Sequence, residues 1–357
     1  MTRFTVHLVA AARPNFMKVA PLWHALKDQP WCRPVLVHTG QHSDPAMSDA
    51  FMADLDLPAP HLALGVAGTG HAETTGRTMI AYEAALAADR PDLVVVVGDV
   101  NATLASALAA AKLGVRVAHL EAGLRSFDRA MPEEINRLAT DAISDLLWTP
   151  SADADEQLLR EGHPPARIAR VGNAMIDSLL MIFPRAKAEA LPDGLRAGGY
   201  GVVTLHRPSN VDEPENLAAL CDVLEASAAQ LPLAFPVHPR TRARLNGRAL
   251  RGVALLPPLP YRQFMALVAG ARLAITDSGG LQEETSHLGI PCLTLRANTE
   301  RPITVTLGTN RLVARDDVPQ AVGRVLRGDW PKGSPIPLWD GQTGARVREE
   351  IRRLAGA

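Results

Sequence analysis

With 357 residues the chain is long enough for two domains that each bury a core, and 37 basic against 38 acidic residues leave a formal charge of -1. That balance supplies no global positive field for a polyanion, so nucleic acid is excluded as an expected partner. Hydrophobic residues make up 47% but aromatics only 4%, which calls for the aliphatic, alanine-rich core of layered α/β packing.

The first predicted strand, Phe4–Ala10, begins almost at Met1, with no charged leader before it and no long apolar segment anywhere. A mature, soluble, cytoplasmic protein with no membrane partner is therefore expected. The strand runs into Ala11-Ala12-Arg13-Pro14-Asn15-Phe16-Met17-Lys18. Pro14 suits a helix start, and Arg13 and Lys18 put two cations at the helix's positive end. An anion held between them would offset that repulsion; otherwise they are two surface cations.

Further strand-like runs lie at 34–39, 93–98 and 115–120, then at 201–205, 233–237, Val253–Leu256, Leu273–Thr276 and 291–295. Between them stand Ala/Leu-rich stretches such as 103–113 and 216–229. This alternation predicts parallel sheets built from βαβ units, one per half. A helix-like 176–189, followed by Leu191-Pro192-Asp193-Gly194 and Gly198-Gly199, marks the boundary, giving domains 1–172 and 173–344. The terminal stretch 345–354 reads as an amphipathic helix whose arginines form a solvated face. Cys32, Cys221 and Cys292 lie far apart in apolar surroundings, as buried thiols in a reducing compartment do.

Polar residues recur where strands end: Asp99, Glu121, His206 and His238 each follow an apolar run. Ligands of open α/β sheets bind beyond the carboxyl ends of the strands, so these four are site candidates, with capping or a bonded core histidine as the alternative for each. Beyond Glu121, Pro132-Glu133-Glu134-Ile135-Asn136-Arg137 opens a helix. Adjacent glutamates point roughly 100° apart there, so one can face a cleft while the other faces solvent or pairs with Arg137. Asp99, Glu121 and Glu133 together would repel one another and raise one pKa enough to hold or exchange a proton near neutrality.

Thr276-Asp277-Ser278-Gly279-Gly280-Leu281-Gln282-Glu283-Glu284 is the most informative segment. Gly279 and Gly280 permit a tight turn from strand to helix and close approach of a diphosphate to free N–H groups. Ser278 either caps that helix or donates to phosphate, and Glu284, a turn further in, suits ribose hydroxyls. Arg301, after the run 291–295, offers a planar fork from a neighbouring loop. Asp153-Ala154-Asp155 has the form of a metal-binding DxD, but it reads better as an acidic first turn capped by Ser151. The glycine-rich 65–70 lacks the strand and lysine of a phosphate loop. His42, His71 and His287 lack ligand spacing, so no metal is expected.

Taken in order, Arg13–Lys18, Gly98-Asp99, His119-Leu120-Glu121-Ala122-Gly123-Leu124-Arg125, the Pro132 motif, Val171-Gly172-Asn173, His206-Arg207, Pro236-Val237-His238, the Ser-Gly-Gly turn and Thr299-Glu300-Arg301-Pro302 resemble the non-hydrolysing UDP-N-acetylglucosamine 2-epimerases. The resemblance implies a GT-B-like α/β fold, two Rossmann-like domains with parallel sheets facing a central cleft, the first completed by the C-terminal helix 345–357. It implies a homodimer that takes a UDP-sugar and needs no cofactor, neither metal nor nicotinamide. The implied reaction interconverts UDP-N-acetylglucosamine and UDP-N-acetylmannosamine through elimination of UDP, a bound 2-acetamidoglucal, and re-addition. By motif position Asp99, Glu121 and Glu133 are the acid/base groups and His206 assists departure of UDP. Arg13, Lys18, Arg137, Arg207, His238, Ser278, Gly279, Gly280, Glu284 and Arg301 would contact the substrate, with Phe264 at the uracil.

Two departures stand out. Asn15 replaces the acid common in the first motif, and Gly68-Thr69-Gly70-His71-Ala72-Glu73 does not match the Arg-Gln segment of an allosteric site, although Gln41-His42 matches its partner. The alternatives are C2 epimerisation of a related UDP-2-acetamido sugar, such as a diacetamido uronic acid, and glycosyl transfer by a GT-B enzyme using a UDP-sugar.

Overall fold

A strand that is apolar at every position must be covered on both faces, and all five residues of Leu93–Val97 are buried. The computed structural model describes residues 3–40, 52–68 and 70–357, with the side chains of Arg13, Ser209 and Arg240 outside the described set. It places that strand in the middle of a parallel sheet. Along the chain run β1 (Phe4–Ala10), α1 (Arg13–Leu26), β2 (Cys32–His38), β3 (Leu62–Ala63), α2 (His71–Ala88), β4 (Leu93–Val97) and α3 (Asn101–Lys112). There follow β5 (Arg116–Leu120), α4 (Pro132–Ile143), β6 (Leu146–Thr149), α5 (Ala152–Arg160), β7 (Ile168–Arg170) and α6 (Ala174–Ala186). The strands pair in the order β3-β2-β1-β4-β5-β6-β7.

A second parallel sheet, ordered β10-β9-β8-β11-β12-β13, is built from later elements. These are β8 (Gly201–Thr204), α7 (Pro214–Ala228), β9 (Leu233–Pro236), β10 (Val253–Leu256), α8 (Tyr261–Ala269), β11 (Leu273–Thr276), α9 (Gly279–Leu288), β12 (Cys292–Thr294), β13 (Asn310–Leu312) and α10 (Val318–Leu326). The last helix, α11 (Thr343–Ala355), packs on α1. Four strands of two to four residues, β3, β6, β7 and β13, are absent from the sequence reading.

The chain divides into one unit of Met1–Met181 with Pro337–Ala357 and another of Ile182–Ile336. The sequence limits of 172/173 and 344/345 differ because specific bonds tie the intervening residues to the first unit. Asp177 accepts from the Gly344 N–H at 2.9 Å, and the Trp339 indole donates to the Pro150 carbonyl at 3.0 Å. In the first unit Val94 and Val96 of β4 pack with Tyr82 and Leu86 of α2 and Ala107 and Ala110 of α3. In the second, Val203, Ile275 and Leu293 pack with Leu220 and Leu224 of α7 and Val322 and Val325 of α10. Each such buried Val or Leu contributes about 1.5–3 kcal/mol relative to exposure. Cys32, Cys221 and Cys292 are buried. No described helix is long and apolar enough to cross a membrane.

Each sheet has a point where the strand order reverses, between β1 and β4 in the first unit and between β8 and β11 in the second. The crevice beyond the carboxyl ends at such a point is where α/β sheets take ligands. β1 leads there into α1, β4 into Gly98-Asp99 and β5 into Glu121; β8 leads into His206-Arg207 and β11 into Asp277-Ser278. One smaller expectation is corrected. Ser151 occupies the N-cap of α5 without a side-chain capping bond, and Asp155 turns to Thr149 and, at 2.6 Å, to Arg170. Gln41 and His42 lie outside the described residues.

Candidate active site

In the first unit the carboxylates come with their own cations. Glu121 stands just past β5 with φ +75, a left-handed conformation that an L-residue adopts only at a cost of order 1 kcal/mol or more. Its Oε2 meets the Lys18 ammonium from α1, and both side chains are buried. Gly98 makes room for this pair. Its φ is +68, and a Cβ there would lie 2.7 Å from Lys18 Nζ and 3.6 Å from Glu121 Oε2. Asp99, next along, pairs with Arg137 of α4.

Arg137 also reaches Glu134 Oε2 at 2.8 Å, and Glu134 accepts from Ser126 N at 2.9 Å, Ser126 Oγ at 3.0 Å and Phe127 N at 3.0 Å. Burial pushes the Glu134 carboxyl upward, but these donors hold it below its ordinary range. Glu134 is thus the buried, structural member of the pair, while Glu133 points to solvent. The three bare, mutually repelling carboxylates expected from the sequence are therefore replaced by two ion pairs and one exposed acid. Asn15 explains its own departure: its Oδ1 accepts from the Ala11 and Ala12 N–H groups at 3.2 and 2.9 Å, and its Nδ2 donates to the Val97 carbonyl at 3.1 Å. A carboxylate in its place accepts but cannot donate. Arg13 opens α1 at the same strand end, its side chain outside the described set.

In the second unit a residue to which the sequence reading gave no role organises the site. Asp277 is fully buried and accepts from the backbone N–H groups of His206 and Arg207 at 3.0 and 2.9 Å, and from Asn210 Nδ2 at 3.0 Å. His206 Nδ1 lies 3.0 Å from its other oxygen. Burial raises the Asp277 pKa, yet His206 and the donated bonds leave it lowered overall. The strand-end rule that flagged Asp99 would have flagged Asp277 as well. The ring of His206 lies 5.9 Å from that of His238, which is exposed, and Arg207 Nε donates to the Asp277 carbonyl at 2.9 Å.

Ser278 sits at the N-cap of α9 and makes no side-chain capping bond, so the capping alternative is not realised. Gly279 and Gly280 supply the first-turn N–H groups. Gly279 also admits a neighbour: a Cβ there would lie 2.7 Å from Arg301 Nη1. The Arg301 fork does not hang open over the turn. Its Nε is 2.8 Å from Glu283 and its Nη1 is 2.5 Å from Glu300, which in turn meets Arg296 at 2.7 Å. Glu284 is buried on α9 and accepts the Tyr261 hydroxyl at 2.5 Å. Burial, with the charge of Glu283 adding to it and the Tyr261 bond opposing, pushes Glu284 up to about 7. Phe264, half-buried, follows Tyr261 on α8, one helical turn along.

Chemically, the first unit gathers carboxylates ion-paired with Lys18 and Arg137, and the second presents a glycine-rich helix start beside a histidine and an arginine. A helix start of that kind can take an anion. Comparison with known proteins agrees in kind. The profile of the family described as UDP-N-acetylglucosamine 2-epimerase matches residues 24–352. The UDP-2,3-diacetamido-2,3-dideoxy-D-glucuronate 2-epimerase of Pseudomonas aeruginosa is 38% identical over 353 residues, covering 97% of this chain and 99% of the relative. The UDP-N-acetylglucosamine 2-epimerase of Methanocaldococcus jannaschii is 38% identical over 365 residues, covering 95% and 96%. A crystal structure of the M. jannaschii UDP-GlcNAc 2-epimerase in complex with UDP-GlcNAc and UDP matches with TM-score 0.87 and 35% identity, covering 99% of this chain and all of that one. The fold is accordingly GT-B-like, with two Rossmann-like units. Matched over most of its length by the profile and nearly end to end by these relatives, the chain belongs to the UDP-N-acetylglucosamine 2-epimerase family.

Proposed function

We propose that the protein interconverts UDP-N-acetylglucosamine and UDP-N-acetylmannosamine by inversion at C2. The observation that carries this is the pair of ion-paired carboxylates, Asp99 and Glu121, at the ends of adjacent strands beside the β1/β4 reversal. The C2 proton of a pyranose is hardly acidic, so the C1–O bond must break before or as that proton leaves. The bonding pair departs on UDP, the proton passes to a carboxylate, and a C1=C2 double bond remains in the 2-acetamidoglucal. Return of UDP with protonation on the other face gives the epimer. The sum is redox-neutral and calls for no nicotinamide.

Arg13, Lys18, His206, Ser278, Gly279, Gly280 and Arg301 would hold the UDP phosphates, Glu284 the ribose and Phe264 the uracil. Asp99, Glu121 and Glu133 would serve the sugar, with Arg137, Arg207 and His238 as further contacts and His206 easing departure of UDP. We also take the protein to act as a homodimer in the cytoplasm. The P. aeruginosa relative's name supports a second reading, the same inversion on a UDP-diacetamido uronic acid. Incubating the purified protein with a panel of UDP-sugars in heavy water separates these. Epimerisation of UDP-N-acetylglucosamine with deuterium at C2 is expected by NMR. Turnover of the uronate alone would favour the second reading, and sugar transfer to an added acceptor without C2 exchange would overturn both.

Glu284 makes a pH prediction. Its carboxyl has an ordinary pKa of 4.5 and titrates at about 7 in the folded chain. Between those values the unfolded chain has released this proton and the folded chain retains it. The contribution to stability is therefore full below 4.5 and is lost as pH rises through 7, by about 3 kcal/mol. Glu284→Gln should flatten the urea midpoint between pH 5 and 7.5; identical pH profiles for variant and wild type would contradict this.

A further inference from the structure

Three successive carbonyls at the end of β4 are each held by side chains from other elements. Val97 O accepts from Asn15 of α1 at 3.1 Å and Thr103 of α3 at 2.9 Å, and Asp99 O accepts from Asn136 of α4 at 2.9 Å. Between them, Gly98 O accepts from His119 Nε2 of β5 at 2.8 Å. The other ring nitrogen, Nδ1, lies 2.6 Å from Asp141 Oδ1 of α4. His119 and Asp141 are both fully buried.

A carbonyl oxygen only accepts, so Nε2 must carry a hydrogen. Asp141 is also an acceptor: its Oδ2 takes the Gly123 N–H at 3.1 Å and meets the Arg125 guanidinium at 2.6 Å. Burial works against the Asp141 carboxylate, but His119 and Arg125 hold its pKa below the ordinary range. A neutral imidazole has one N–H and cannot serve both partners. The ring that fits this geometry is the imidazolium. The charges around it then close: Asp141 from α4, Arg125 from the loop after β5, and Glu161, which takes Arg125 in a fork at 2.8 and 2.6 Å.

We propose that His119 is a positioning residue for the epimerase reaction, a doubly protonated clamp that fixes the Gly98 carbonyl and so aims Asp99 while Glu121 extends from the same strand. Gly98 is also the floor beneath the Lys18–Glu121 pair, since a Cβ on it would strike the ammonium. This one contact therefore bears on both acid/base groups, through the peptide that precedes Asp99 and the floor beneath Glu121. Misplacing a reacting group by about 1 Å costs on the order of 100-fold in rate.

The proposal rests on the epimerase reading, and two measurements keep their failures apart. Selective ¹⁵N-histidine labelling of the wild-type protein, with the His119 signals assigned by their loss in His119→Gln, should show a hydrogen on both ring nitrogens under the assay conditions. A singly protonated ring overturns the clamp whatever the protein's activity. Kinetically, His119→Gln keeps one donor and should lower kcat on the order of 100-fold per folded enzyme, with KM and UDP affinity within about threefold. Unchanged kcat, or a loss confined to KM or to melting temperature, overturns the positioning role. A wild-type protein that epimerises no UDP-sugar removes the reading beneath it, while the NMR result still decides the protonation state.

Discussion

Glu121→Gln is expected to abolish exchange of the C2 proton with solvent while leaving UDP affinity within about tenfold, or 1.4 kcal/mol. A positioned acid or base typically contributes 10² to 10⁴ in rate, and an amide can neither take up nor hold back the proton. The structure adds a second effect. Glu121 is buried with the Lys18 ammonium at its oxygen, so the variant leaves a buried cation facing a neutral acceptor. That should cost about 1–3 kcal/mol of stability. Deuterium incorporation is accordingly measured per folded enzyme, with a melting curve alongside and UDP binding by calorimetry. A stable variant that exchanges C2 at the wild-type rate takes Glu121 out of the mechanism.

Arg301→Ala should lower UDP affinity by at least tenfold and also destabilise the second unit. Its guanidinium lies between Glu283 and Glu300, both buried. Glu300 keeps Arg296 at 2.7 Å, whereas the ion pair that Glu283 makes with Arg301 is lost. Removing one partner of a buried pair costs about 3–5 kcal/mol. The sign with pH follows. Loss of the Arg301 charge lets the Glu283 carboxyl, next to Glu284, take up a proton more readily, so the variant's deficit is largest at alkaline pH and shrinks as pH falls. Arg301→Lys keeps a charge without the planar fork and should fall between the two. Urea unfolding at pH 5.5 and 8.5 reads the stability effect, and an unchanged UDP titration would contradict the assignment of Arg301 to the nucleotide.

These two expectations differ in how far the sequence foretold them. Both residues stand out from their motifs, but what each touches does not. Lys18 and Glu121 are 103 positions apart, and Arg137 is 38 from Asp99. Adjacent glutamates on a helix diverge by roughly 100°, which says that Glu133 and Glu134 must differ but not which is buried. That depends on the loop carrying Ser126 and Phe127, whose N–H groups select Glu134. The clamp around His119 was hidden for the same reason, since Asp141 belongs to a helix that meets β5 only in the folded chain.

What the sequence determined by itself is what acts over a few residues. Pro14 and Pro132 mark helix starts, the all-apolar run at 93–97 forces a strand covered on both faces, and strand-end polar residues name the rim where ligands sit. Dihedral preferences and hydrophobic periods are local, so a linear reading captures them. The two- and three-residue strands β3 and β13 escaped that reading. Only the tertiary structure decided which carboxylate has which cation, that Ser278 leaves its helix uncapped by its side chain, that Asp277 organises the His206-Arg207 turn, and that Arg301 is held by two glutamates. Charge pairing and burial depend on distances across the fold, and those exist only once βαβ packing has brought separate strand ends together.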